Sequence, residues 1–236
     1  MGNNLRSYTG IIFLFFVVHV YSQTYSKNAL IGKGELQLIG DNYKLQPDVH
    51  DAFERMHKAA LKEGINIQIV SGYRSFKRQK QIWNKKYKKY ISDGLRPSKA
   101  FQKIVEYSTI PGTSRHHWGT EIDIIDGNKK TPKSVLLEEN YENGVYVDLK
   151  NWMDKNAESF GFYLVYNNIK SRKGFRYEPW HYSYKPLSSI MLREFLALSF
   201  KKVIRDAEID GYKKMTSRFI QNYYSHNVLD INPELK

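Results

Sequence analysis

The chain has 236 residues, of which 41% are hydrophobic and 26% are charged, and it contains no cysteine. This length and composition are sufficient for one well-packed domain and exclude a collagen-like, coiled-coil or wholly disordered protein. The absence of cysteine excludes disulfide bonds and thiolate zinc sites. The formal net charge of +13 favours an anionic partner.

The amino-terminal segment is typical of a targeting sequence. Arg6 precedes an apolar run from Gly10 to Val20, and the small residue Ser22 follows that run. This arrangement is typical of a secretory signal peptide, and the run is shorter than the roughly 20 apolar residues of a membrane span. A retained signal anchor is the alternative. We predict a signal peptide over residues 1–22 and an exported protein, periplasmic or associated with the cell envelope.

The basic residues are dispersed along the chain, as in the segment FKRQKQIWNKKYKKY, and they form no recognisable nucleic-acid-binding motif. For an exported protein we expect no nucleic-acid partner. An anionic wall polymer or membrane surface fits the charge better, and a solvated basic face is the alternative. The sequence does not determine the oligomeric state, for which a monomer is the default expectation.

The first half of the chain predicts an extended lead-in followed by helices around one strand. The lead-in covers residues 23–46. Apolar residues recur at helical spacing over residues 47–64, whereas residues 65–70 alternate isoleucine with other residues as a half-buried strand does. Two more helices are predicted, one over residues 76–91 and a shorter one capped by Ser98.

The second half predicts short strands separated by helices. The strands are predicted at residues 119–125, 162–166 and 175–184. An irregular excursion over residues 127–147 precedes a helix over residues 148–161, for which Asp148 is the predicted cap. The last predicted helices cover residues 187–200, capped near Ser188, and the tail over residues 201–236.

These elements mix strands and helices without regular alternation. The pattern favours an α+β fold with a small, mostly antiparallel sheet flanked by helices over a doubly wound fold. We predict one domain over residues 23–186. Residues 187–236 are predicted to form a helical carboxy-terminal extension that packs on the domain or is appended to it.

A histidine pair in the segment TSRHHWGTEID raises the question of a metal site. Without cysteine, a zinc site requires histidine and carboxylate ligands. His116, His117 and His181 each have a carboxylate nearby in the sequence. Asp123 lies in mid-strand between two isoleucines, where a carboxylate is costly unless it is paired or bound to metal. Glu121 shares its strand face and is an alternative ligand or a partner of a ligand; the other interpretation is a structural histidine.

Two further segments carry polar residues suited to catalysis. Glu178 lies three residues before His181, and Pro179 can turn the chain so that both side chains reach one site. A glutamate beside a metal site is the usual general base of zinc peptidases. Arg74 directly follows a predicted strand, and its guanidinium suits a carboxylate or a developing oxyanion. Taken singly, Glu178 is also consistent with a surface charge and His181 with a packed ring, and an arginine after a strand is usually a surface residue.

Together the three segments resemble a known family. The quoted patterns are SGYRS with a following glutamine, Ser-x-His-x-x-Gly-x-x-x-Asp, and Glu-Pro-Trp-His. In this order and spacing they resemble the VanY-type D-alanyl-D-alanine carboxypeptidases. These belong to a wider group of zinc peptidases that share a core with lysostaphin-like enzymes and the hedgehog amino-terminal domain. The resemblance covers roughly residues 30–185.

The resemblance implies a role for each matching residue. One zinc ion would be held by His116, Asp123 and His181, and not by His117. Glu178 would be the catalytic base and acid, and Arg74 would stabilise the transition state or the substrate carbonyl. The residues implied in substrate binding and pocket shape are Ser114, Gln79, Tyr73, Trp180 and Tyr184. Glu121 departs from the family pattern, because many members have a small residue such as alanine there.

The implied function is hydrolysis of the terminal D-alanine from peptidoglycan stem peptides. The motifs do not separate this activity from an L,D-carboxypeptidase or from an endopeptidase that cuts cross-links. A non-catalytic cell-wall-binding module on the same fold is an alternative of a different class. We expect the excursion at residues 127–147 and the helix around residues 75–106 to shape the outer part of the site.

Overall fold

The computed structural model describes residues 25–236. The predicted signal peptide at residues 1–22 lies outside this range and stays a prediction. Among the described residues, no helix is both long enough and apolar enough to cross a membrane.

A small antiparallel sheet lies at the centre of the described residues. Its strands are β1 (Ile67–Ser71), β2 (Glu121–Asp126), β3 (Phe162–Leu164) and β4 (His181–Tyr184). They are ordered β1-β2-β4-β3, and each neighbouring pair is antiparallel. The predicted α+β fold with a mostly antiparallel sheet is therefore confirmed.

The middle strands separate an apolar face from a polar one. On one face, Ile122, Ile124 and Tyr182 join a core built from the sheet, helix α2 (Pro47–Lys62) and helix α6 (Val147–Asn156). On the other face, Asp123 is paired with His181 across β2 and β4. Because side chains alternate along a strand, the isoleucines anchor β2 in the core while the polar residues between them face the other way.

Helices surround the sheet. They are α1 (Lys27–Leu30), α2 (Pro47–Lys62), α3 (Phe76–Ser92), α4 (Pro97–Ile104), α5 (Glu138–Glu142), α6 (Val147–Asn156), α7 (Lys185–Leu196), α8 (Phe200–Arg205) and α9 (Ser217–Tyr223). Helix α2 buries Val49, Phe53 and Met56, which recur at helical spacing on the side that faces the sheet. Helix α3 begins after Ser75, whose hydroxyl accepts a hydrogen bond from the Arg78 backbone.

Three predicted helix starts are wrong. Helix α4 begins at Pro97, one residue before Ser98, because proline suits the first helical position. Helix α6 begins at Val147, so Asp148 lies in its first turn and pairs with a lysine instead of capping the helix. Helix α7 starts directly after β4, and Ser188 is a buried residue within it.

Other predicted boundaries also shift. The lead-in contains the short helix α1, and the excursion contains α5. The strand predicted over residues 175–184 begins only at His181, because a turn at Pro179 interrupts the extended chain. The helix predicted over residues 187–200 ends at Leu196, and α8 begins a separate turn after Ser199.

The carboxy-terminal segment packs against the rest of the chain. Met191 and Phe195 of α7 are buried in a second apolar core together with α3, α4 and Trp118. The Tyr223 hydroxyl accepts a hydrogen bond from the Ile110 backbone at 2.9 Å. This tail contact supports residues 110–113, which lead directly into the histidine pair.

Candidate metal and peptidase site

The histidine pair is divided by a single turn of 3-10 helix. Residues Arg115–Trp118 form this turn, and Gly119 ends it with a left-handed φ of 66°. Because a 3-10 helix has three residues per turn, consecutive side chains point about 120° apart. His116 and His117 therefore point in different directions from adjacent positions. A Cβ on Gly119 would lie 2.7 Å from a Leu38 methyl carbon, so glycine fits both the conformation and the space.

His116 turns toward the sheet, and its ring is held in one orientation. Its Nδ1 donates a hydrogen bond to the Gly72 carbonyl oxygen at 2.8 Å. Its Nε2 lies 3.5 Å from Oδ2 of Asp123. The carbonyl therefore fixes the tautomer of His116 and leaves Nε2 free to bind a metal.

His117 has a different position and a structural role. The ring is fully buried, with Nδ1 donating to the Arg74 carbonyl oxygen and Nε2 accepting from the Gly112 backbone at 3.1 Å. Burial lowers the pKa of this imidazole to about 3, so it is neutral. His117 therefore links the Arg74 backbone to the Gly112 backbone in the loop before the histidine pair.

The three predicted ligands converge. Ligand atoms of His116, Asp123 and His181 all lie within 4.8 Å of one another, and the three residues are buried. Burial raises the pKa of Asp123, but the two histidines and Arg74 outweigh it and lower the pKa to about 2. The Asp123 atom Oδ1 is buried without a hydrogen-bond partner among the described residues. Two imidazoles and an ionised carboxylate at this spacing fit a zinc ion.

A turn places Glu178 beside the third ligand. The His181 backbone donates to the Glu178 carbonyl oxygen at 3.1 Å, which closes a turn around Pro179. The side chains meet as well, because Oε2 of Glu178 lies 3.0 Å from Nδ1 of His181. Burial lowers the pKa of His181, but hydrogen bonds to Glu121 and Glu178 outweigh it and raise the pKa to about 10. The His181 ring therefore lies between two carboxylates.

Arg74 reaches the same site from the end of β1. A register irregularity between Ile69 and Ser71 precedes it, as bulges often do beside functional sites. Its guanidinium donates to the Ser71 hydroxyl at 3.0 Å and to Oε1 of Gln79 at 3.1 Å. The group also lies 3.8 Å from Oδ2 of Asp123. These contacts hold Arg74 next to the ligands.

A cleft of about 400 Å³ opens over these residues. Its floor is formed by the ligands, Glu178, Arg74 and Ser114. The hydroxyl oxygen of Ser114 is buried without a hydrogen-bond partner among residues 25–236, and Trp180 adds an apolar wall. The rim consists of residues from α3, the loop before the histidine pair and the excursion, namely Ile82, Tyr107, Ser108, Thr109, Leu136, Leu137 and Glu138.

Three residues expected to bind substrate or shape the pocket are not among the described residues that line the cleft, namely Gln79, Tyr73 and Tyr184. Gln79 is fully buried and contacts Arg74, so its effect on substrate is indirect. Tyr184 is on the opposite face of β4 from His181 because it lies three residues further along the strand, and its ring packs on Phe162.

Two residues of the site were not expected from the sequence. Tyr166 lines the cleft, and its ring packs edge-on against His181 at 5.3 Å between centroids. Arg115 is buried and pairs with Glu121 at 3.2 Å. Neither residue is specified by the quoted patterns; packing brings Tyr166 to His181 and pairs Arg115 with Glu121. The sequence allows Glu121 to be either a metal ligand or a partner of a ligand. In the structure, Oε2 of Glu121 lies 3.0 Å from Nε2 of His181.

Two histidines, an aspartate and a neighbouring glutamate on the sheet of a small α+β domain define a metallopeptidase-type centre. The sequence profile of VanY, D-alanyl-D-alanine carboxypeptidase, matches residues 42–187. This range covers more than half of the chain and contains every residue of the centre. The chain therefore belongs to the VanY family.

Individual relatives agree with this assignment. A D-alanyl-D-alanine carboxypeptidase of Enterococcus faecalis is 29% identical over 64% of this chain and 52% of its own length. VanXYC of Enterococcus gallinarum, a bifunctional D-Ala-D-Ala dipeptidase and carboxypeptidase, is 33% identical over 59% of this chain and 66% of its own length. The chain thus spans about half the length of the Enterococcus faecalis relative.

Two solved structures share the fold. VanYB in complex with D-alanine-D-alanine superposes with a TM-score of 0.52 at 21% identity, covering 73% of this chain and 90% of that one. A vancomycin-resistance D,D-pentapeptidase VanY, solved as a variant with Zn(II), gives a TM-score of 0.51 at 22% identity, covering 72% and 90%. At these identities the likeness supports the fold.

Proposed function

We propose that this protein is a zinc-dependent D-alanyl-D-alanine carboxypeptidase that removes the terminal D-alanine from peptidoglycan stem peptides. The observation that carries the proposal is the convergence of His116, Asp123 and His181 within 4.8 Å in a cleft that also contains Glu178. A chain of the VanY family with this constellation retains the parts that peptide hydrolysis requires.

One zinc ion is the cofactor that these ligands suit. When bound, zinc supplies Lewis-acid polarisation of the scissile carbonyl and activates a water molecule as nucleophile. His116 offers Nε2, because its Nδ1 is engaged by the Gly72 carbonyl. Asp123 is ionised and has one buried oxygen without a partner among the described residues. Three protein ligands leave further coordination positions open, as catalytic zinc sites require.

Glu178 is the group that moves protons. Its carboxylate faces the cleft, is only 8% exposed and is adjacent to the ligand His181. It takes the proton from the attacking water at a carboxylate oxygen and then returns this proton to the nitrogen of the departing D-alanine. The turn at Pro179 holds the carboxylate at the site, so little ordering is needed when substrate binds.

Arg74 and Ser114 orient the substrate and its developing charge. The Arg74 guanidinium is held by Ser71 and Gln79 and lies on the cleft floor, where it can donate to a carbonyl oxygen as negative charge develops. The Ser114 hydroxyl has a buried oxygen that faces the cleft and suits a polar group of the peptide. Trp180 supplies an apolar surface beside them.

The cleavage products of defined muropeptides test the proposal. Purified zinc-loaded protein is incubated with pentapeptide stems, tetrapeptide stems and cross-linked dimers, and the products are read by mass spectrometry. Release of one D-alanine from the pentapeptide is expected. Cleavage only of tetrapeptides or cross-links would replace the proposal with an L,D-carboxypeptidase or an endopeptidase, and bound zinc without hydrolysis would favour a wall-binding module.

We further propose that the protein is exported and acts at the cell envelope. The amino-terminal sequence supports this, because a basic residue and a short apolar run precede Ser22. Amino-terminal sequencing of protein recovered from fractionated cells is expected to find a mature form that begins after Ser22 in the envelope fraction. An uncleaved chain in the soluble cell extract would contradict this.

The net charge of +13 supports a second, electrostatic contact with anionic wall polymer. Binding of the protein to purified sacculi is expected to weaken steeply as salt rises from about 10 mM to about 150 mM, because the Debye length falls from about 30 Å to about 8 Å. Binding that is independent of salt would contradict this contact.

A further inference from the structure

Glu121 is a fully buried carboxylate for which the proposed reaction has no step. It lies on β2, two residues before the ligand Asp123 and on the same strand face. Burying a carboxylate in this way is costly unless it is paired and hydrogen-bonded. The contacts of Glu121 therefore indicate what the residue does.

Each oxygen of Glu121 has a distinct set of partners. Oε2 accepts a hydrogen bond from Nε2 of His181 at 3.0 Å. Oε1 pairs with the guanidinium of Arg115 at 3.2 Å and accepts from the Ser183 hydroxyl at 2.6 Å. Both oxygens of Glu121 therefore have the hydrogen-bond or ion-pair partners that a buried carboxylate requires.

Arg115 is itself buried beside Glu121. Its side chain is 6% exposed, and its guanidinium carbon lies 4.8 Å from the centre of the Trp118 ring. A second guanidinium contact reaches the Ser183 hydroxyl at 2.8 Å. Arg115 and Ser183 therefore contact one oxygen of Glu121, and the other oxygen contacts His181.

The contact decides which nitrogen of His181 faces the cleft. Because Nε2 is engaged by Glu121, Nδ1 is the nitrogen that remains beside Glu178, at 3.0 Å. His116 is held in the opposite sense, since its Nδ1 is engaged by a backbone carbonyl. One ligand ring is thus oriented by a neutral carbonyl and the other by a carboxylate.

We propose that Glu121, held by Arg115, is a positioning residue that fixes the Nε2–H tautomer of His181, directs Nδ1 to the metal and strengthens the ring as a ligand. This inference rests on the proposed zinc function. A carboxylate behind a ligand histidine raises the basicity of the ring, and loss of such a partner weakens metal binding by about 10- to 100-fold.

Zinc affinity provides the first test. Competition with a chromogenic chelator is measured for the full-length wild type and for Glu121→Ala, Glu121→Gln and Asp126→Asn. The alanine variant is expected to bind zinc about 10- to 100-fold more weakly. The glutamine variant is expected to lose less zinc affinity than the alanine variant, because its amide oxygen still accepts a hydrogen bond from Nε2. It is expected to bind zinc more weakly than the wild type, because the amide carries no charge.

Asp126→Asn is the matched control. Asp126 is a fully buried carboxylate on the same strand, and its contacts are the Asn66 and Asn128 backbone rather than the metal ligands. The zinc affinity of the Asp126→Asn variant is expected to stay at the wild-type value. Equal affinity in wild type, both Glu121 variants and the control would overturn the inference while leaving the zinc function intact. A wild type without zinc affinity would overturn the proposed function instead.

The tautomer of His181 provides a test that does not depend on the variants folding. Long-range ¹H–¹⁵N spectra of zinc-loaded protein labelled at histidine report which ring nitrogen carries the metal and which carries a proton. We expect His181 to bind through Nδ1 with a proton on Nε2, and His116 to show the reverse. Metal on Nε2 of His181 would refute the role of Glu121 even if the alanine variant does not fold.

Discussion

The floor and the rim of the cleft differ in how firmly their residues are held. On the floor, His116, Asp123 and His181 are at most 5% exposed, and hydrogen bonds or paired strands hold each of them. On the rim, Tyr107 is 53% exposed and Leu137 is 42% exposed.

The difference between the buried floor and the exposed rim suits them to two tasks, catalysis on the floor and substrate selection on the rim. Floor residues lie on strands and closed turns, where preorganised charge is most effective in catalysis. Rim residues come mainly from a loop and an excursion, which can vary without disturbing the core. We therefore expect floor substitutions to abolish chemistry or metal binding and rim substitutions to alter substrate preference.

Removing the proton carrier is expected to have the largest effect. Glu178→Ala should lower D-alanine release by about 10²- to 10⁴-fold. Among the described floor residues, no other carboxylate is free to transfer the proton. Zinc content should stay at the wild-type value. Release of D-alanine is measured by mass spectrometry beside metal analysis, with Asp126→Asn as control. Normal turnover would show that Glu178 is not the base.

The adjacent histidines should separate in a metal assay. His116→Ala removes a ligand and should lose zinc, whereas His117→Ala should keep it because this ring faces the Arg74 carbonyl. EDTA should inactivate the wild type, and added zinc should restore activity. Zinc loss from the His117 variant alone, with His116→Ala fully loaded, would mean that the ligand register is wrong.

His117→Ala should instead lower stability. The substitution leaves a buried cavity and removes two hydrogen bonds, which together cost about 2–4 kcal/mol of unfolding free energy. Urea unfolding with a matched His50→Ala control on the half-buried side of α2 measures the difference. A loss below about 0.5 kcal/mol would contradict the structural role of the ring.

The neutral state of His117 predicts a pH dependence. Its folded pKa of about 3 lies below the unfolded value of 6.5, so the unfolded chain binds the proton first as pH falls. The contribution of neutral His117 to the free energy of unfolding is complete above pH 6.5. This contribution is lost as the pH falls toward 3, at up to about 1.4 kcal/mol per pH unit. His117→Asn retains an amide donor and should show a shallower slope between pH 6 and 4. Parallel curves for wild type and variant would contradict the pKa direction.

The smallest effect is expected on the rim. Leu137→Ala removes apolar contact area worth about 1 kcal/mol and should raise KM about two- to fivefold with little change in kcat. Ile169→Ala, 52% exposed and outside the cleft lining, is the matched control. A large fall in kcat for the Leu137 variant would show that rim and floor are coupled.

Local sequence determined much of the element inventory and pointed to the three residues proposed as metal ligands. Residues with strong periodicity, such as Val49 and Phe53 of α2 or Ile67 and Ile69 of β1, predicted their elements because burial follows the period of the backbone. Helix starts were less predictable. Ser98 and Asp148 are good capping residues, but a proline or the packing of a neighbouring residue placed each start elsewhere.

The sequence by itself determined the family, the α+β class and the motif residues of the centre, since these depend on short spacings and residue chemistry. Tertiary structure alone decided which neighbours serve them. It assigned His117 to the Arg74 backbone, directed Tyr184 away from the cleft, brought Glu121 and Tyr166 to His181, and paired Arg115 with Glu121. These contacts join residues distant in the chain, and only strand register and packing determine which of them meet.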